Sequence, residues 1–238
     1  MTMRVVQLSD SHLAAATGEP DSVRSLVAWI RSDPPDLVVH TGDIVWEDPD
    51  DTLDRAFALL VLSNLPCPLV AVPGNHDVGF FDRPRLPARL DAFRATWGAD
   101  RFVVDDDGWR LIGVDVYTVG DDEADEWVAS ALESDRPTAV FVHHPLAGEP
   151  QDGWQLPDDV LARCHTLLAA HDVRVIASGH RHCRAVRSDA GGATHVWAPS
   201  TTLVGPEPYH GGDPSPGAVE YHFEPDGTWS HRFVTGRV

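Results

Sequence analysis

Short apolar runs rich in Val, Ile and Leu recur along the chain, bounded by Gly, Asp or Pro, and such runs read as buried strands. They fall at about 4–8, 36–40, 68–72, 138–142 and 173–177. Between them apolar residues repeat at helical spacing: Val23, Leu26, Val27 and Ile30 within 20–31, and Leu53, Ala56, Phe57 and Leu60 within 51–63. Further helices are expected over 122–133, where acidic residues in the first turn suit the helix dipole, and over 158–170. The segments 101–104 and 109–114 flank Asp105-Asp106-Asp107-Gly108, a hairpin turn signal. Residues 78–97, a loop and helix rich in Pro and Arg, read as a cap segment beside whatever site the strands build. After residue 184 the pattern changes to four short strands at 184–188, 193–197, 218–223 and 229–234, separated by Gly and Pro turns and expected to join the second of two sheets.

Strands alternating with helices, followed by a β-rich tail, predict an α/β fold in which two mixed β-sheets pack together with helices outside. At 238 residues, with no internal repeat and no long linker, residues 1–238 are expected to form one domain. No apolar run approaches the length that crosses a bilayer, and Met1-Thr2-Met3-Arg4-Val5 enters the first strand without a secretory pattern. Cys67, Cys164 and Cys183 are odd in number and far apart, which predicts reduced thiols and a cytoplasmic location. The net charge is −19, from 37 acidic residues and 18 basic ones, all Arg. So acidic a chain lacks the basic surface that non-specific nucleic-acid or anionic-membrane binding needs, so neither is expected as a partner.

The candidate chemistry lies where the apolar runs stop. The run at 5–8 leads to Asp10-Ser11-His12, that at 37–39 to Gly42-Asp43, and that at 69–72 to Gly74-Asn75-His76-Asp77. The run at 139–142 leads to His143-His144, and that at 173–177 to Gly179-His180-Arg181-His182. Alternating α/β sheets gather their sites at the carboxyl ends of strands. Carboxylate, imidazole and amide oxygen together suit Mn, Fe or Zn, and seven such ligands exceed the demand of one ion. Two residues apart on extended chain, Asp10 and His12 point the same way, as do His180 and His182, so each pair is expected to grip one ion. By the same alternation His144 turns away from His143, Cys183 turns away from His182, and Arg181 faces away from the site. His40, inside a strand, reads as a satisfied core residue, and Asp77 as a residue that fixes its loop.

These five motifs, in this order and spacing, resemble those of the calcineurin-like metallophosphoesterases. The tail, with Ala198-Pro199-Ser200-Thr201 and Pro216-Gly217-Ala218, is similar to the bacterial class III cyclic-nucleotide phosphodiesterase branch. The resemblance implies a four-layer α/β/β/α sandwich with a dinuclear metal site at the strand ends. It implies that Asp10, His12 and His182 hold one metal, that Asn75, His143 and His180 hold the other, and that Asp43 bridges them. It further implies a phosphodiesterase acting on a small-molecule phosphoester through a metal-bridging hydroxide, with 3′,5′-cyclic nucleotides the favoured substrate. Asn75 and His76 would contact that substrate, and His76 would protonate the leaving oxygen. The alternatives are a phosphomonoesterase or broad phosphodiesterase of the same family, and a non-catalytic scaffold, against which all seven ligand positions stand. Specificity then falls to the 78–97 cap and the 209–217 loop, where Phe80, Phe81 and Tyr209 are candidate platforms. His195 and His210 lie where substrate could pass. Metal identity and oligomeric state, a dimer included, are left open.

Overall fold

Alternate residues of the central strands are shared between two cores. Val5, Leu37, Val39, Ala139, Phe141, Val175 and Ala177 belong to one buried cluster. Their neighbours Val6, Val38, Val140 and Ile176 belong to another, together with helical residues such as Val23, Leu26, Ile30, Val128 and Val160. Both faces of each strand are therefore covered, which is why the runs are continuously apolar rather than alternating. This is the layering of the computed structural model, which describes all residues except 107, 150, 190, 203–212 and 236–238.

The first sheet contains β1 (Met3–Leu8), β2 (Leu37–His40), β3 (Leu69–Ala71), β10 (Gly217–Phe223) and β11 (Trp229–Thr235), in the order β11-β10-β1-β2-β3. β1, β2 and β3 are parallel, whereas β10 runs antiparallel to β1 with Val5 opposite Tyr221. The second sheet contains β4 (Phe102–Asp105), β5 (Arg110–Gly113), β6 (Thr138–Phe141), β7 (Val173–Ser178), β8 (Ala185–Ser188) and β9 (Thr194–Trp197), in the order β4-β5-β6-β7-β9-β8. The first sheet carries α1 (Asp21–Ser32) and α2 (Thr52–Leu62) on its outer face, where Leu8 meets Val23, Leu26 and Leu62. The second carries α5 (Asp122–Leu132) and α6 (Asp158–Leu168), where Val114, Val140 and Val142 meet Val128 and Cys164. Helix, sheet, sheet and helix make the four-layer α/β/β/α sandwich. No helix among the described residues is long and apolar enough to cross a membrane.

Three expectations need correction. The tail does not belong wholly to the second sheet: β8 and β9 do, but β10 and β11 cross to the first. The free edge of β1 provides the reason, since β10 pairs with it along Met3 to Gln7. The 78–97 segment is only in small part a cap. Its helix α4 (Leu86–Trp97) buries Leu86, Leu90 and Phe93 in the core, and the short α3 (Asn75–Val78) precedes it. In α2 the buried face is Ala58, Val61 and Leu62, while Leu53 and Leu60 are 71% and 65% exposed.

Candidate metal centre

The carboxyl ends of the parallel strands of both sheets face one another, and the motif residues leave from there. Asp10 and His12 follow β1, Asp43 follows β2, Asn75 and His76 follow β3, His143 follows β6, and His180 and His182 follow β7. The chain does not continue as strand through these residues. Asp10, His12, Asp43, His180 and His182 all have positive φ, between 43° and 67°, and Phe81 is the one other non-glycine residue to do so among the described residues. Left-handed backbone costs a side-chain-bearing residue of order 1–3 kcal/mol and gathers at functional sites. Backbone hydrogen bonds hold the turns: Asp10 N–H donates to Gly42 O at 2.9 Å, His12 N–H to Asp43 O at 3.0 Å, and Gly179 N–H to His143 O at 2.9 Å. Two motif glycines are needed for close approach. A Cβ on Gly74 would lie 2.2 Å from Asp43 N, and one on Gly179 would lie 1.8 Å from Ser9 Oγ.

The left-handed turns overturn one expectation. His180 and His182 do not share an ion-sized space, because extended alternation does not apply to them. His182 joins Asp10 and His12, whereas His180 joins His143 and His144. Asp43 takes part with His12 and His76 on one side and with Asp10 and His143 on the other. Six of the seven expected ligands thus fall in overlapping metal-competent groups, and Asp10 and Asp43 each take part in two of them. His143 Nε2 lies 3.0 Å from Asn75 Oδ1 and 3.4 Å from Asp43 Oδ2, and His182 Nε2 lies 3.3 Å from Asp10 Oδ1.

The donor set fits cations. His12 Nδ1 donates to Trp46 O at 3.1 Å, His143 Nδ1 to Thr41 O at 2.7 Å, and His180 Nε2 to Trp154 O at 2.8 Å. Each outer N–H is spent on a carbonyl, so the other ring nitrogen keeps its lone pair in His12 and His180, and in His143 a cation would free it by displacing its proton, the arrangement that outer partners impose on metal-binding histidines. His12 Nε2 and His182 Nε2 then lie 3.1 Å apart. Burial drives His12 down to about 4 and His180 down to about 3, favouring neutral rings. Burial acts the same way on His143, but the adjacent Asp43 carries it up to about 9. Burial also opposes charge on Asp10 and Asp43, yet His182 and His143 respectively hold both carboxyls below the usual range. Among the described residues the ion-pair partners of these two buried carboxylates are histidines.

A model of the calcineurin-like phosphoesterase family matches residues 3–184. The chain belongs to that family. A glycerophosphodiester phosphodiesterase, GpdQ of Enterobacter lignolyticus, is 32% identical over 165 residues, covering 62% of this chain and 56% of its own. A probable cyclic nucleotide phosphodiesterase of Psychrobacter arcticus is 27% identical over 184 residues, 70% of this chain and 63% of its own. One of Moraxella catarrhalis is 38% identical over 205 residues, 71% of each chain. The chain therefore spans 56% and 63% of the length of the first two relatives. A dimetal phosphatase of Danio rerio shares the fold with a TM-score of 0.72 at 15% identity, over 99% of this chain and 96% of its own. Purple acid phosphatase PPD1 of yellow lupin does so with a TM-score of 0.71 at 15% identity, over 99% of this chain and 52% of its own.

Around the family's metal-competent groups the remaining expectations divide. His40 is a satisfied core residue: Gly42 N–H donates to its Nδ1 at 3.2 Å and its Nε2 meets Ser11 Oγ at 2.7 Å. Asp77 fixes its loop, accepting from Gly74, Ile44 and Val45 N–H. Arg181 is buried away from the centre between Glu149 and Asp152. Cys183 is buried and enters none of the metal-competent groups. His195 is buried on β9 with its Nε2 2.9 Å from Asp189 Oδ2. His210 and Tyr209 lie outside the described residues. His144 does not turn away: its ring centre is 4.0 Å from that of His180, and Tyr117 holds its Nε2 at 3.1 Å. His76 sits over the centre with its ring 4.7 Å from His12, its N–H on Asp43 Oδ1 at 2.7 Å, and its Nε2 3.9 Å from Asp43 Oδ2. Sequence reading missed Gln7, which is buried beneath the site and bonded to Thr41 and to the Tyr221 hydroxyl.

Proposed function

We propose that the chain is a dinuclear metal-dependent phosphodiesterase acting on small-molecule phosphoesters, with 3′,5′-cyclic nucleotides among its substrates. The observation that carries this reading is the chain of overlapping metal-competent groups that links Asp10, His12, Asp43, His143, His180 and His182. Asp10, His12 and His182 would hold one ion, Asn75, His143 and His180 the other, with Asp43 between them. Mn, Fe and Zn all suit these donors. Bound there, such ions lower the pKa of water and neutralise phosphoryl charge.

The protein's own residues do the rest. Asn75, whose Oδ1 faces His143, has an amide N–H₂ to offer a phosphoryl oxygen. His76 Nε2 faces the centre and delivers a proton to the leaving oxygen, a general-acid role. Thr41, His40 and Trp46 fix the ligand rings and turns from behind. The phosphodiesterase names of the Enterobacter, Psychrobacter and Moraxella relatives support the diester preference. Residues 1–238 are read as one catalytic domain, and the free Cys67, Cys164 and Cys183 support a reducing, cytoplasmic setting.

The test is chromatographic assay of the Mn-supplemented protein on cyclic AMP, cyclic GMP, bis(p-nitrophenyl) phosphate and p-nitrophenyl phosphate. Ring opening to a nucleoside monophosphate is expected. Brisk hydrolysis of the monoester with no diester cleaved would instead make the chain a phosphomonoesterase.

A further inference from the structure

Aromatic side chains exposed to water are few in this protein, and their placement is not scattered. Among the described residues the exposed ones are Trp46, Phe80 and Trp154, at 43%, 40% and 58%. Two of the rings lie against histidines, and the backbone of the third bonds one. Trp46 meets the ring of His12 at 5.8 Å, Phe80 that of His144 at 5.7 Å, and the Trp154 carbonyl accepts from His180. Phe80 and Trp154 also meet edge-on, with ring centres 6.5 Å apart and planes at 68°. Leaving large apolar rings in water is unfavourable, and at the mouth of a site it marks a surface made to be covered by ligand.

The two rings are held in place. Arg181 Nε bonds Glu149 Oε1 at 2.6 Å and its Nη1 bonds Asp152 Oδ2 at 2.9 Å, so the loop that presents Trp154 is pinned beneath the centre. Phe80 is backed edge-on by Phe81 at 5.4 Å, and Phe81 rests on Tyr117 at 5.1 Å. The charge of Arg181 is consumed by those two carboxylates, and the chain has no lysine. Ring contact is therefore the recognition this side of the site has to offer.

We propose that Phe80 and Trp154 form an aromatic platform that receives a planar ring on the alcohol group of the substrate. A ring stacks on the Trp154 face and meets Phe80, whereas glycerol or another small polyol has no face to stack. The site therefore selects phosphoesters of nucleosides or aryl alcohols. This rests on the proposed phosphoesterase reading but is tested by binding, independently of turnover.

The ligands are phosphonates, whose P–C bond resists ester hydrolysis: phenylphosphonate, an adenosine phosphonate and 2-hydroxyethylphosphonate. Their binding to the Mn-loaded full chain is measured by calorimetry for wild type, Phe80→Ala, Trp154→Ala and Trp154→Phe. Wild type is expected to bind a ring-bearing ligand about tenfold more tightly than hydroxyethylphosphonate, the scale of ring stacking on an aromatic face. Each alanine variant should bring that ratio below about threefold by weakening the ring ligands alone, and Trp154→Phe should keep most of it. A gain for the adenosine ligand alone identifies the ring as a nucleobase, and a gain for both identifies any planar ring. Equal affinity of wild type for all three, or equal weakening of all three in the variants, overturns the proposal. Ring preference without hydrolysis of any phosphoester would remove the proposed function and leave the platform standing, and hydrolysis without ring preference would do the reverse.

Discussion

His76 stands apart from the residues around it because its ring overlies the centre while its backbone N–H is spent on Asp43. Replacing it should therefore spare the metals and slow the chemistry. His76→Ala is expected to retain two ions by elemental analysis and to lose roughly 100- to 10,000-fold in kcat on alkyl esters. The loss should be much smaller for p-nitrophenyl esters, whose leaving oxygen needs little protonation. Equal losses on both would assign His76 a structural role. Asp115 offers a second test at this scale. It is buried, its Oδ1 accepts from Tyr117 N–H at 2.9 Å, and its Oδ2 has no hydrogen-bond partner among the described residues. Burial, with Asp100 adding repulsion and Arg94 opposing it, pushes Asp115 up to about 7. A raised acid binds its proton more tightly folded than unfolded, so its contribution is fully present below the ordinary value of 3.8 and is lost as pH rises through about 7. Asp115→Asn should thus melt like wild type near pH 4 and be more stable near pH 8, by an amount on the order of a few kcal/mol. A constant difference across that range in thermal melts would refute the assignment. The seven expected ligand positions stood out in the sequence because each is an ionisable or amide residue shortly after an apolar run. Gln7 was not, because one polar residue inside such a run gives no sign of the hydroxyl partners, Thr41 and Tyr221, that distant segments bring to it. The pairing of His180 with His143 came only with the resemblance to the family and not from spacing, in which positive φ at a histidine leaves no trace.

Among the elements, α1 and α2 show when periodicity succeeds. The α1 face Val23, Leu26, Val27 and Ile30 is buried as its spacing predicts, because the opposite face is polar. Helix α2 is apolar nearly all round, so spacing alone selects no face, and the packing against β1 and α1 chooses Ala58, Val61 and Leu62. Its start is clearer: Asp51 caps it, accepting from Leu53 and Asp54 N–H at 2.7 and 3.1 Å. The assignment of faces is checked by comparing two truncations in denaturant melts. Leu62→Ala should cost about 2–5 kcal/mol, the usual range for emptying a buried leucine site. Leu60→Ser, at an exposed position, should stay within about 0.5 kcal/mol of wild type. Comparable losses would mean that the Leu60 face is covered in solution. The 78–97 segment was misread in the same way. Pro and Arg suggested surface, but Arg89 is held by Asp50 at 2.7 Å and Asp82 at 3.4 Å, and α4 sits against the core.

For the whole molecule, the two sheets each deliver part of the centre, so neither half can bind metal as the complete protein does. Asp10, His12, Asp43 and Asn75 come from the first sheet, and His143, His180 and His182 from the second. Reconstituted protein should saturate at two ions per chain. Asp43→Asn, which removes charge from the point where both groups meet, should lower that to one or none by elemental analysis. Saturation of wild type at one ion would sink the dinuclear reading. The sandwich was legible in the alternation of runs and helices, whereas the division of the tail was not, because short strands carry no mark of the sheet they join.

That division also governs timing. β1 is made first, and its end holds Asp10 and His12, yet the partner for one of its edges, β10, is made more than two hundred residues later. Throughout that interval a growing chain carries a strand with open N–H and C=O groups, the kind of edge that other chains capture. The floor of the candidate centre is thus laid before the other strands and sealed only when β10 follows. A ribosome-arrested chain stopped before Gly217 would hold every expected metal ligand and still leave the strand beneath two of them half paired.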